Sequence, residues 1–130
     1  MTERGRILVV DDEPAITDFI ALGLHHEGYE VATAGDGHQG LRAVDEFKPD
    51  LVILDVMMPG IDGISLCRRI RAMAGGESLP IILFTALSDS ADLVAARDAG
   101  ANQVITKPFN LTGLGAAVEA LLPNAAAASA

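Results

Sequence analysis

Short apolar runs alternate with longer amphipathic stretches along the whole chain. Runs rich in Val, Ile and Leu lie at Ile7–Val10, Leu51–Leu54 and Ile81–Phe84, with weaker β-type runs at Tyr29–Ala34 and Asn102–Thr106. Unbroken apolar runs of this length predict strands buried on both faces, as in a parallel sheet. Between the first two strands, Pro14–Glu27 sets Ile16, Phe19, Ile20 and Leu24 on one helical stripe. Pro14 suits the first helical position and Gly28 the stop. Helices are also predicted over His38–Phe47, Asp62–Met73, Asp89–Ala99 and Asn110–Leu122, with Asp62 and Asn110 as N-caps.

Five βα units in succession predict an α/β fold, a doubly wound five-stranded parallel sheet with right-handed crossovers. The strand order 2-1-3-4-5 is adopted by analogy with flavodoxin-like sheets rather than from the pattern itself. Residues 1–123 are expected to form this domain, and residues 124–130 an Ala-rich tail or linker stub.

Composition narrows the function. The chain has 130 residues, half of them apolar, enough for a core without staples. Its net charge of −9 argues against binding nucleic acid by phosphate neutralisation, and against an anionic membrane surface. A single cysteine, Cys67, rules out an intramolecular disulfide framework and fits a reducing, cytoplasmic setting. No apolar run has the length of a membrane span, and the N-terminal residues do not form a secretory signal.

In sheets of this kind ligands bind beyond the carboxyl ends of the strands. There the sequence sets Asp11, Asp12 and Glu13 after strand 1, Asp55 after strand 3, Thr85 after strand 4, and Lys107 and Pro108 after strand 5. Each alone has an ordinary reading: a turn or cap acid, a β-favouring threonine, a solvated lysine. Together they differ, because adjacent carboxylates are costly unless a cation or Lys107 compensates them. Oxygen-only ligands point to Mg²⁺. A carboxylate can attack phosphorus to give an aspartyl phosphate, with metal, lysine and hydroxyl neutralising the phosphoryl oxygens.

Four segments carry a resemblance: Val9-Val10-Asp11-Asp12-Glu13, Leu54-Asp55-Val56-Met57-Met58-Pro59-Gly60, Phe84-Thr85-Ala86 and Lys107-Pro108-Phe109. The chain resembles the CheY-like receiver domains of two-component response regulators from about Gly5 to Leu122. The resemblance implies that Asp55 is the phosphoacceptor. It implies that Asp11, Asp12, Asp55 and the backbone carbonyl of Met57 hold Mg²⁺. Thr85, Ala86 and Lys107 then form the switch and phosphate-binding set, and Lys107-Pro108 matches a cis peptide. Val104 stands three residues before the lysine, where the family often has an aromatic switch residue. Met57 and Leu87, two residues after Asp55 and Thr85, are apolar and cannot orient a water.

Two other readings compete. Gly35-Asp36-Gly37-His38-Gln39-Gly40 matches the dinucleotide-binding G-x-G-x-x-G, but Asp36 would set a negative charge where pyrophosphate should lie. Asp36-Gly37 reads better as a turn capping the second helix. A phosphatase of the haloacid-dehalogenase type would need an acid two residues after its nucleophile, where Met57 stands.

The expected function is therefore a phosphoacceptor module rather than a conventional enzyme. Its expected partners are a sensor histidine kinase or phosphotransfer protein, and an output domain or downstream protein. It is either free-standing or cut from a longer regulator, without direct nucleic-acid or membrane contact. A homodimer through helix 4, strand 5 and helix 5 is a further expectation. Helix 5 carries Gly113, Gly115 and several alanines with Glu119 as its one charge, so its outer face, including Gly115, is expected to pack against something. His25, His26 and His38 read as surface residues, Cys67 and Met58 as core, and Met57 as site rim.

Overall fold

The structure, a computed structural model, describes residues 4–86 and 90–122. In chain order it contains β1 (Arg6–Val10), α1 (Pro14–His26), β2 (Glu30–Ala34), α2 (Gly37–Phe47), β3 (Leu51–Asp55) and α3 (Gly63–Ala72). A 3-10 turn at Gly76–Ser78 precedes β4 (Ile81–Thr85), α4 (Ser90–Asp98), β5 (Gln103–Thr106) and α5 (Leu111–Leu121). The five strands pair in parallel in the order β2-β1-β3-β4-β5, as expected. Observed ends differ from the predicted ones by a residue or so. The instructive cases are Asp55 and Thr85, which remain in the ladder opposite Phe84 and Thr106. The predicted tail, Leu87 and the Asp89 start of the fourth helix lie outside the described residues.

Local chemistry sets the helix starts. Asp36, Asp62 and Asn110 are N-caps whose side chains accept from the Gln39, Ser65 and Gly113 amides at 2.8, 2.8 and 2.6 Å. Pro14 opens α1.

Side-chain alternation along the central strands fills two cores. Leu8, Val10, Val52, Leu54, Ile81 and Leu83 face α2, α3 and α4. Ile7, Val9, Leu51, Ile53, Ile82 and Phe84 face α1 and α5. Cys67 is buried in the first core with Met58, and Val104 packs against its edge. No described helix is long and apolar enough to cross a membrane.

Two packing expectations are corrected. The inward face of α1 is Thr17, Ile20 and Leu24, while Phe19 is 52 % exposed, as is most of Leu22. Thr17 shares the stripe of Ile20 and Leu24, and its buried hydroxyl is satisfied by donating to the Pro14 carbonyl at 3.1 Å. Gly115 is not on the outer face of α5. It is buried against α1, where a Cβ would stand 2.9 Å from Glu27 Oε2. Its small size serves the approach of two helices within the molecule, while Phe19 and Leu22 leave large apolar side chains exposed on α1.

Candidate functional site

The carboxyl ends of β1, β3, β4 and β5 converge. Val10 pairs with Leu54, which brings Asp11, just past β1, beside Asp55 at the end of β3. The Lys107 amide donates to the Thr85 carbonyl at 2.7 Å, so β5 delivers the lysine to the same edge. The Lys107–Pro108 peptide bond is cis.

Asp55 is the centre of this edge and is 2 % exposed. Lys107 Nζ lies 3.3 Å from its Oδ1, and the Met57 amide donates to that oxygen at 3.4 Å. The ammonium also sits 4.9 Å from the centre of the Phe84 ring, which holds it over an apolar floor. Asp11, Asp12 and Asp55 each offer a carboxylate oxygen, all within 4.8 Å of one another. Asp11 is 1 % exposed and Asp12 is open to solvent.

The electrostatics follow from that crowding. Three carboxylates face a single ammonium. Burial pushes the Asp11 carboxyl up to about 6, and the Asp55 charge adds to the rise. The Glu13 amide, which donates to Asp11 Oδ1 at 3.0 Å, and Lys107 act in the opposite sense. Asp11 Oδ2 is buried without a hydrogen-bond partner. An anionic oxygen removed from water and left unpaired is costly, and a divalent cation among hard oxygen donors would relieve that cost. The residues present therefore fit a metal ion.

The remaining residues read from the sequence divide. Thr85 is buried at the end of β4 and Ala86 is exposed beside it. Met57 is 60 % exposed at the rim and Met58 is buried. Val104, opposite Leu83, faces the α2–α3–α4 core. The competing glycine-rich loop is a helix cap: the Asp36 carboxylate occupies the α2 N-terminus where a pyrophosphate would bind.

Two contributors escaped the sequence reading. Phe84, read as the last apolar residue of its strand and given no role of its own, also floors the lysine. Gly63 admits the start of α3 beneath Asp55: its amide donates to the Val56 carbonyl at 3.0 Å. A Cβ there would run into the Asp55 carbonyl and lie 2.8 Å from Val56 Cα. Gly63→Ala is expected to lower unfolding stability by about 1–3 kcal/mol through backbone displacement at the site. An unchanged urea midpoint would contradict that close approach.

The family model described as the response regulator receiver domain matches residues 7–119. The chain belongs to that family. The receiver domain is 46 % identical over 121 residues to the DNA-binding response regulator MtrA of Mycolicibacterium smegmatis, covering 93 % of this chain and 52 % of that protein. It is 39 % identical to the DNA-binding dual master transcriptional regulator RpaA of Synechocystis, covering 90 % of this chain and 48 % of that one. The chain thus spans about half the length of the curated relatives it matches. Among solved structures, the chemotaxis response regulator CheY4 of Vibrio cholerae superposes with a TM-score of 0.87 at 29 % identity, covering 93 % of this chain and all of that one. The signal receiver domain of a signal transduction histidine kinase from Syntrophus aciditrophicus gives 0.85 at 36 % identity, covering 92 % and 91 % of the two chains.

Proposed function

We propose that this receiver domain takes a phosphoryl group from a histidine kinase or phosphotransfer protein onto Asp55. The observation that carries the reading is a nearly inaccessible carboxylate with Lys107 Nζ at 3.3 Å and two further carboxylates within 4.8 Å. An Asp55 carboxylate oxygen attacks phosphorus, and the bond from phosphorus to the donor imidazole nitrogen breaks. That nitrogen keeps the electron pair and takes up a proton as needed. Lys107 is placed to hold a phosphoryl oxygen, and the Thr85 hydroxyl and Ala86 complete the phosphate-binding set. Asp11, Asp12, Asp55 and the Met57 carbonyl are the residues that would hold Mg²⁺. Bound there, Mg²⁺ supplies the charge neutralisation that brings an anionic phosphoryl group to an acidic edge.

Phosphorylation changes output only as far as it favours one conformation over another. Val104 leaves that readout to Thr85 and the elements joined to it, rather than to an aromatic switch. The output is an attached domain or a downstream protein, and a homodimer through α4, β5 and α5 is one form of it. The acidic surplus supports assigning any DNA contact to another part of a longer regulator. The module is cytoplasmic and has no conventional turnover beyond its own phosphorylation and slow hydrolysis.

Incubation with acetyl phosphate and Mg²⁺ is the test: one phosphoryl group should add to the intact mass. Uptake that is unchanged when EDTA removes the metal would contradict the metal requirement. Hydrolysis should be slow, because the exposed Met57 side chain offers nothing to orient a water. Met57→Asn is expected to speed dephosphorylation about tenfold, less than a full general base contributes. A rate equal to wild type in a phosphate-release assay would remove this explanation.

A further inference from the structure

Arg71, in the last turn of α3, lies at the end of the sheet opposite the acidic site, and all five of its N–H donors are used. Nε and Nη2 both donate to the Gly100 carbonyl, at 3.1 and 2.6 Å. Nη1 donates to the carbonyls of Gly76 at 2.7 Å and Leu79 at 2.5 Å, and Nη2 to Asn102 Oδ1 at 2.9 Å. Asn102 Oδ1 also accepts from the Ile81 amide, at 2.8 Å. These acceptors are neutral, so a full positive charge is spent on joining backbone segments. It also sits at the carboxyl end of α4, where the helix dipole favours a cation.

The end of α4 is built to receive it. Gly100 has a left-handed φ of +104°, and a Cβ there would stand 2.8 Å from Arg71 Nε. The Gly100 amide donates to the Arg97 carbonyl and the Ala101 amide to the Ala96 carbonyl, which closes the helix in a Schellman motif. Cys67 Sγ donates to the Ala99 carbonyl at 3.4 Å. Ala96 and Ala99 are buried at this end. Toward the site, none of the described side chains from Ala91 to Ala95 is buried. The helix is thus tied to α3 at one end and lightly packed at the other.

We infer that Arg71 is a positioning residue that pins the Gly100 end of α4, so that a change set off at Asp55 and Thr85 turns the helix about that end instead of sliding it along β5. The inference rests on the proposed phosphorylation of Asp55. Hydrogen–deuterium exchange on the whole chain with Mg²⁺, with and without acetyl phosphate, tests it, with intact mass read from the same samples. In wild type, the amides of residues 99–102 should exchange equally slowly before and after phosphoryl uptake, while those of residues 91–95 change. In Arg71→Ala and Arg71→Lys, residues 99–102 should exchange at least about tenfold faster, as loss of charge-assisted hydrogen bonds implies, and should now respond to uptake. The added phosphoryl mass should match wild type. If Arg71→Ala does not fold, Arg71→Lys and Asn102→Ala decide. Wild-type residues 99–102 that respond as strongly as 91–95, or an Arg71→Lys protein with unaltered exchange there, would overturn the pin. Absence of added mass in wild type would instead overturn the phosphoacceptor reading, while the exchange difference between wild type and Arg71→Lys would still judge the pin.

Discussion

Asp55→Asn is expected to abolish phosphoryl uptake while leaving the protein folded, the largest effect expected of any single substitution. The amide oxygen of asparagine is not a nucleophile toward phosphorus, so labelling by acetyl phosphate should fall at least about a hundredfold. The neighbouring acids are not expected to replace it. Asp12 is exposed, and Asp11 is buried with one oxygen committed to the Glu13 amide. Folding should survive, because Asp55→Asn keeps the shape of a 2 % exposed side chain and removes a negative charge that raises the Asp11 carboxyl. Intact mass and thermal melting measure the two halves of this expectation. Labelling of Asp55→Asn equal to wild type would refute the assignment.

The second large effect is a pH dependence centred on Asp11. Its carboxyl is pushed up to about 6 by burial first and by the Asp55 charge after it. The folded protein therefore holds the Asp11 proton more tightly than the unfolded chain does. The sign follows: stability present below about pH 4 is lost as pH rises toward 6, and the loss then levels off. For a shift of this size the loss is about 3 kcal/mol at order of magnitude. Asp11→Asn does not titrate, so its stability relative to metal-free wild type should grow by up to that amount between pH 4 and 7. Mg²⁺ should restore part of the loss in wild type, about 1.4 kcal/mol at ten times its dissociation constant. It should restore little in Asp11→Asn. Urea unfolding of both proteins across that range, with EDTA and with Mg²⁺, measures both effects. A constant difference between the proteins would mean that Asp11 is not held above its ordinary value.

Much of this was legible in the sequence because strand burial and strand ends leave strong local marks. The run Leu51–Leu54 predicted a strand buried on both faces, and what followed it, Asp55, is the residue at the middle of the acidic edge. The caps Asp36, Asp62 and Asn110 were equally plain, since a side-chain oxygen and an amide three residues on are neighbours in sequence. What failed depended on the third dimension. Phe19 looked like a core residue because it is apolar, yet the inward turn of α1 belongs to Thr17, Ile20 and Leu24. Gly115 looked like an exposed small residue, yet its smallness answers Glu27, the residue that caps α1. The role of Gly63 depends on how closely α3 passes beneath β3, and that of Phe84 on where the Lys107 side chain lies. Arg71 left no mark, because its acceptors are carbonyls and an amide up to 31 residues away.

Chemical trapping tests, without any substitution, whether Asp55 carries an acyl phosphate. Wild-type protein treated with acetyl phosphate and Mg²⁺ is reduced with borohydride, which converts an aspartyl phosphate to homoserine, and is then digested and sequenced by mass spectrometry. Homoserine at position 55 and nowhere else is the predicted result. Homoserine at another aspartate, or none despite a phosphoryl group on the intact protein, would contradict the account.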